Sequence, residues 1–350
     1  MYLEIDGSAG EGGGQILRTS LAMSALLGKP IKISKIRAGR REPGLQAQHL
    51  TCVNAVAKIT DAEVTGASFG SQELLFIPKS INTGNYRFDV SDVKASAGSV
   101  SLVLQAILLP LAFAGGTSKV TLLGGTHVLW SPPIHYLQMV YLPIIARMGV
   151  KADIQLKTWG WYPRGGGQIE VEIYPAELHN IDLSHRGNLK SVKGVSAISN
   201  LPIAIAQRQQ ERSLSILKSE NLKAEFEIID APSRGPGTAV FLVTEFENSY
   251  AGFSSLGAKG KRAEEVAEEA CNDCISFIQS HKSVDYHLAD QLVPLMVLAK
   301  GYSCFTTSKI TLHLLTNIQV AEQFLPVKFN VSGKQDQAGE VYVDGIGFEK

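Results

Sequence analysis

His313, in the run TLHLLTN, is the side chain of this sequence best suited to nucleophilic chemistry. A largely neutral imidazole can attack phosphorus without a partner to deprotonate it first. A lone histidine beside apolar residues is more often structural, so the spacing alone leaves both readings open. His287, in YHLADQL, competes for the same role, and Asp290 and Gln291 on its helix could hydrogen-bond a base or ribose edge.

A second group of residues suits an anion. The run Gly7-Ser8-Ala9-Gly10-Glu11-Gly12-Gly13-Gly14-Gln15 lies between an expected strand and an expected helix. Glycines let backbone approach a phosphate there, and the helix N-terminus supplies free N–H groups. Taken alone, the run serves equally well as a tight turn. It lacks the GK[ST] closure of a Walker A loop, and Gln15 stands where a dinucleotide fingerprint needs its last glycine. Glu11 points instead to the divalent ion that accompanies nucleotide phosphates. Arg18 lies one turn beyond Gln15, and Arg37, Arg40 and Arg41 crowd the loop that precedes Gln48 and His49. Guanidinium groups suit bidentate phosphate contact, so a local anion patch competes evenly with a solvated basic turn.

Periodicity supplies the elements that must position these groups. A strand (2–5), helix (14–27), strand (31–36), helix (45–59) and two strands (63–65, 73–77) make a βαβαββ unit. The order recurs about 85 residues later: strand 86–90, helix 96–113, strand 119–123, helix 133–148, and strands 151–155 and 168–174. Here Ser131-Pro132-Pro133 reads as a helix start. A third unit appears late, with helices 288–298 and 314–324 and strands 305–310, 327–331 and 340–343, its leading strand absent or displaced. Residues 183 to about 282 have a different texture, so the expected division is 1–182, an insert 183–282, and 283–350. The fold class is α/β in α+β layers: three repeats, each two helices on a four-stranded sheet, with a smaller inserted α/β domain.

Composition bounds the function. With 350 residues, about two domains are expected at roughly 150 each. The 33 Lys+Arg balance 33 Asp+Glu, so any polyanion must be held by a local patch. Apolar residues make up 45% of the chain, which excludes a disordered protein. The start MYLEIDGSAG has no secretory character and the stretch 102–116 is too short and interrupted to span a bilayer, so a cytoplasmic protein without membrane segments is expected. Cys271 and Cys274 form a CxxC inside an amphipathic helix. Without a second such pair or a pair of histidines it favours two thiols on a helix over a zinc site, with a redox role as the alternative.

Together GSAGEGGGQILRTSLAMS, IRAGRREPGLQAQHL, SAGSVSLVLQ, WYPRGGGQIEVEIYP, HLADQL and HLLTNIQVAEQFLPV resemble the RNA 3′-terminal phosphate cyclase family, in family order and over nearly the whole chain outside the insert. The resemblance implies ATP-dependent conversion of an RNA 3′-phosphate to a 2′,3′-cyclic phosphodiester through a covalent histidine–AMP intermediate and an RNA-adenylate. It places the nucleophile on His313. Glu11 would hold a divalent metal, Mg²⁺ or Mn²⁺. Arg18, Arg37, Arg40, Gln48 and Gln105 would contact the triphosphate or the RNA terminal phosphate, and Pro132, His287, Asp290 and Gln291 would surround the adenosine. The expected partner is RNA with a 3′-phosphate end, with a homodimer left open. Two other readings are a non-catalytic ribosome-assembly paralogue of the same superfamily and, more remotely, an enolpyruvyl transferase.

Overall fold

The computed structural model describes residues 2–349. In the first repeat β1 (Leu3–Asp6), α1 (Gly14–Leu27), β2 (Ile31–Ser34), α2 (Ala47–Thr60), β3 (Glu63–Thr65) and β4 (Leu74–Ile77) follow the expected order. Strand β1 runs parallel to β2, and β4 is antiparallel to both β2 and β3. Each strand pair therefore leaves one sheet face for helices. The second repeat repeats this plan with β5 (Asn85–Asp89), α3 (Val100–Ala112), β6 (Ser118–Gly124), α4 (Ile134–Tyr136), α5 (Leu142–Arg147), β7 (Ala152–Thr158) and β8 (Gly167–Ile173). A π-helical segment, Leu137–Tyr141, joins α4 to α5, so the expected second helix is continuous but locally widened.

Helix α3 starts later than its apolar pattern suggests. Residues 96–99 stay extended because Gly98 packs its backbone against Val90 and Gln48, and because Ser99 and Gly125 form a parallel bridge. This loop forms part of the site described below.

The third repeat opens with a displaced strand, β9 (Asp182–Leu183), which pairs in parallel with β14 across the whole insert. The insert holds β10 (Leu189–Ser199), α6 (Ala204–Ser219), β11 (Ala224–Asp230), β12 (Gly237–Phe246), β13 (Tyr250–Leu256) and α7 (Ala263–Ser280). The repeat then resumes with α8 (Tyr286–Leu298), β14 (Lys300–Thr307), α9 (Leu312–Phe324), β15 (Asn330–Ser332) and β16 (Gly339–Ile346). Its sheet order β15-β16-β14-β9 matches β3-β4-β2-β1 of the first repeat, position for position. Strand β9 straddles residues 182 and 183, the point where the insert was expected to begin.

The insert's sheet is buried on both faces, and the alternation of its side chains says why. Val240 and Leu242 face α6 and α7, whereas Phe241 and Val243 join the main core. The two chain crossings are tied to each other as well. Arg186 donates to the carbonyls of Phe277 at 3.2 Å and Lys282 at 3.3 Å, and its guanidinium lies over the Phe246 ring. Cys271 and Cys274 are buried free thiols, and burial pushes Cys274 above the ordinary thiol range.

Phe241→Ala empties a buried position at the contact between the insert and the main core. It should cost about 3–5 kcal/mol, read as a lower urea midpoint, and an unchanged midpoint would show that the insert is not held by this face.

Candidate functional site

The site forms where helix N-termini of the first and third repeats meet. Gln15 is the second residue of α1 and His313 the second of α9, while Gln48 is the second of α2. Such ends present unpaired N–H groups and partial positive charge, a setting suited to phosphate oxygens. Thr311 caps α9, its hydroxyl accepting from the Leu314 N–H at 3.1 Å. Asp285 caps α8, and its carboxylate also accepts from the Tyr136 hydroxyl and the Gly252 N–H. That one buried acid thus ties the second repeat and the insert to the third.

The imidazole of His313 is held by Gln15. Its Nδ1 lies 2.6 Å from the Gln15 Oε1, and the Gln15 amide nitrogen donates to the Asp290 carboxylate. An amide has one accepting and one donating end, so donation to Asp290 turns the oxygen toward His313. Nδ1 then carries the proton and Nε2 keeps its lone pair. His313 is 56% exposed, so Nε2 is accessible to a bound nucleotide. Helix α9 supplies two further anchors on the face of His313. Thr316 accepts from the Glu11 N–H at 3.0 Å, and Asn317 bridges the Thr19 hydroxyl and the Asp290 carbonyl.

The glycine-rich run wraps this assembly. Glu11 is almost enclosed, with a side chain 6% exposed, and pairs with Arg40. A side chain at Gly13 would strike that ion pair, and one at Gly14 would strike the ring of His49. At Gly14 the buried His49 ring leaves no room for a side chain, whereas at Gly13 the ends of Glu11 and Arg40 would have to turn aside. Burial beside Arg37 and Arg18 pulls His49 down to about 3, so it is neutral here, and its Nδ1 accepts from the Gln46 N–H. Arg37 adopts a left-handed backbone and donates to the carbonyls of Glu42 and Gly44 at 2.6 and 2.9 Å. Burial also lowers Arg18 and Arg37 from the ordinary guanidinium range, and for Arg37 the neighbouring Arg40 adds to the effect. An incoming anion would relieve that crowding.

Gln48 accepts from the Ser99 N–H at 2.7 Å, which joins the first repeat to the 96–99 loop of the second. Gln105 donates to Gln291 at 2.8 Å, and Gln291 donates in turn to the His287 carbonyl. His287 is exposed and stands against Tyr286 and Tyr136. Asp290 is the exception in the expected adenosine group, because its carboxylate points to Gln15 rather than into open space. Pro132 lies half-buried in the loop that leads into α4.

Spacing carried a signal for the residues not singled out from sequence. Gln15, Arg18 and Thr19 fall on one face of α1, and His313, Thr316 and Asn317 on one face of α9, at i, i+3 and i+4. Among the described residues no group of three or more His, Cys, Asp or Glu side chains could by itself hold a metal. Glu11 nevertheless fits a divalent ion whose remaining ligands are phosphate oxygens and water, since Mg²⁺ commonly binds through one carboxylate and a nucleotide. Likewise, no helix among the described residues is long and apolar enough to cross a membrane.

A family model described as RNA 3′-terminal phosphate cyclase matches residues 9–331. The chain is 47% identical over 326 residues to a protein of that name from Nostoc punctiforme, covering 92% of this chain and 94% of that one. Those from Methylococcus capsulatus and Pyrobaculum neutrophilum are 43% and 44% identical, covering 98% and 99% of this chain and 96% and 100% of theirs.

Burial raises the Asp290 carboxyl from 3.8 to about 7. The folded protein therefore keeps this proton between about pH 4 and 7, where the unfolded chain releases it. The stability associated with that retained proton is fully present below about pH 4, is lost as pH rises to about 7, and changes little above. Asp290→Asn should remove that component from the pH dependence of the urea midpoint, and identical slopes for the two proteins would refute it.

Proposed function

Because the chain belongs to the RNA 3′-terminal phosphate cyclase family and is an enzyme of that activity, we propose that His313 is its nucleophile and that Gln15 and Asp290 hold that nucleophile ready. The observation that carries this reading is the 2.6 Å contact between His313 Nδ1 and Gln15 Oε1 at the end of the glycine-rich run. A histidine buried away from that run would have favoured a non-catalytic binding protein.

In the first step His313 Nε2 attacks the α-phosphorus of ATP. A P–N bond forms, the bond to pyrophosphate breaks, and the positive charge on the ring is stabilised through Nδ1–H by Gln15 and the carboxylates of Asp290 and Glu11. In the second step an oxygen of the RNA 3′-phosphate attacks the same phosphorus and the P–N bond breaks. His313 is released as the neutral ring and the RNA carries an adenylate. In the third step the terminal ribose 2′-OH attacks the 3′-phosphorus, its proton passing to solvent water, and the bond to AMP breaks as AMP leaves. The chemistry needs the adenylate because a phosphate monoester dianion has no adequate leaving group, and covalent catalysis divides that difficulty between two easier displacements.

Arg18, Arg37, Arg40 and Gln48 surround the place where phosphates must lie, and their donors oppose the negative charge of both substrates. A divalent ion held by Glu11 would neutralise phosphate charge and orient the triphosphate. Arg40 pairs with Glu11 and would turn to the phosphates when that ion is bound. Gln105 and Gln291, linked to each other, with His287 and Pro132, form the side suited to the nucleoside.

Incubation with α-³²P-labelled ATP and a divalent ion tests the assignment. Acid-labile, alkali-stable label is expected on the wild type and on His287→Ala, and none on His313→Ala. A 3′-phosphorylated end lacking the 2′-OH should be adenylated but not cyclised. Label that persists in His313→Ala would move the nucleophile elsewhere.

A further inference from the structure

A surface beside the site carries two costs that the fold does not recover. Trp130 is 95% exposed and has a left-handed backbone with φ of 64°, an unfavourable conformation for a bulky residue. Tyr162 is 76% exposed on the adjacent loop. Neither ring is buried in return, and residues held in such conformations cluster at functional sites.

The foundation under these rings is rigid. The bridge between His127 and Trp161 joins the Trp130 loop to the Tyr162 loop, and the Ser131 hydroxyl closes the former onto the Val128 carbonyl at 3.0 Å. Beneath them the His127 ring stacks on Trp159 at 3.9 Å with 9° between planes, and His135 bonds His127. Burial keeps both imidazoles neutral, so this layer is a packed support.

Two cations flank the rings. Arg164 and Arg234 are exposed, and Arg164 donates to the Arg234 carbonyl at 3.1 Å. Among the described residues neither has a carboxylate partner within 4 Å. The surface is continuous with the phosphate side of the site. Gly165, in the turn that carries Tyr162 and Arg164, abuts Ala97, and the 96–99 loop in turn binds Gln48.

Exposed aromatic faces alternating with unpaired arginines are the chemistry that binds single-stranded nucleic acid, by base stacking and phosphate contact. We propose that Trp130 and Tyr162 stack bases of the RNA strand upstream of its 3′-phosphate, and that Arg164 and Arg234 contact its backbone. The substrate is then a single-stranded 3′ end several nucleotides long, with selectivity for length rather than sequence. The proposal rests on the reading of the site given above.

The test uses the full chain, with a single-stranded 3′-phosphorylated decaribonucleotide and a 3′-phosphorylated dinucleotide as substrates. Trp130→Ala combined with Tyr162→Ala should raise KM for the decamer about tenfold or more. It should leave kcat, KM for the dinucleotide and self-adenylation near wild type, and Trp130→Phe with Tyr162→Phe should restore decamer KM. Arg164→Ala with Arg234→Ala should flatten the salt dependence of decamer binding. An unchanged decamer KM overturns the proposal. So does an equal rise for both substrates, which would mean a disturbed pocket, or a loss of self-association with KM intact, which would make this face an interface between copies. Failure of the wild type to label itself from ATP would instead sink the underlying reading.

Discussion

The carboxamide of Gln15 is held between a carboxylate and an imidazole that lie 275 and 298 residues away in the chain. With Asp290 ionised, the amide satisfies both only in one orientation, with nitrogen to Asp290 and oxygen to His313 Nδ1. The rest of the site depends on this choice. If the amide turned over, His313 would have to accept at Nδ1 and carry its proton on Nε2, where no lone pair would remain for attack on phosphorus. The surrounding structure protects the orientation. Asn317 fixes the Asp290 backbone and Thr316 anchors the loop backbone at Glu11. The same carboxylate is a source of tension, since burial opposes its charge and places its titration at about 7.

Such a contact requires the first and third repeats to be built as one body. Helices α1, α3, α8 and α9 share one core, and α1 packs against both α3 and α9. The insert interrupts the third repeat without disturbing this arrangement, because β9 on one side and β14 on the other still pair. Its own sheet is pinned to the body through Phe241 and Val243, and Arg186 closes the two crossings. Gln15, Gln48 and His313 sit at helix beginnings, so the backbone contributes positive potential around them. Glycine at positions 13 and 14 lets the loop lie close to the Glu11–Arg40 pair and the buried His49 ring, and a side chain at position 14 would strike that ring.

Much of this was legible in the residue pattern. The βαβαββ repeat follows from alternating apolar periods, and its third copy was visible apart from the leading strand. That strand escaped notice because β9 is two residues long and its partner comes after the insert. Helix α3 was read too long at its start, since Ser96–Ser99 is compatible with a helix locally and is held extended only by contacts with Gln48 and Gly125. At the site, His313, Glu11 and the arginines stood out because their chemistry is specific. Gln15 did not, since a neutral amide announces nothing until its two partners are seen. Asp290 was expected beside the nucleoside, and in the fold its carboxylate accepts from the Gln15 amide, a contact decided by which way one carboxylate turns on α8. Trp130 and Tyr162 were not singled out from the sequence, and only their exposure marks them.

The Gln15 contact requires His313 to carry its proton on Nδ1 and its lone pair on Nε2. Nitrogen-15 NMR of histidine-labelled protein at pH 8, with His313 assigned by comparison with His313→Ala, reads this directly. The account predicts a protonated Nδ1 and an unprotonated Nε2 in the wild type, and a shift toward Nε2–H, the tautomer favoured by free imidazole side chains, in Gln15→Leu. A wild-type ring that already carries its proton on Nε2, or one unaffected by Gln15→Leu, would contradict it.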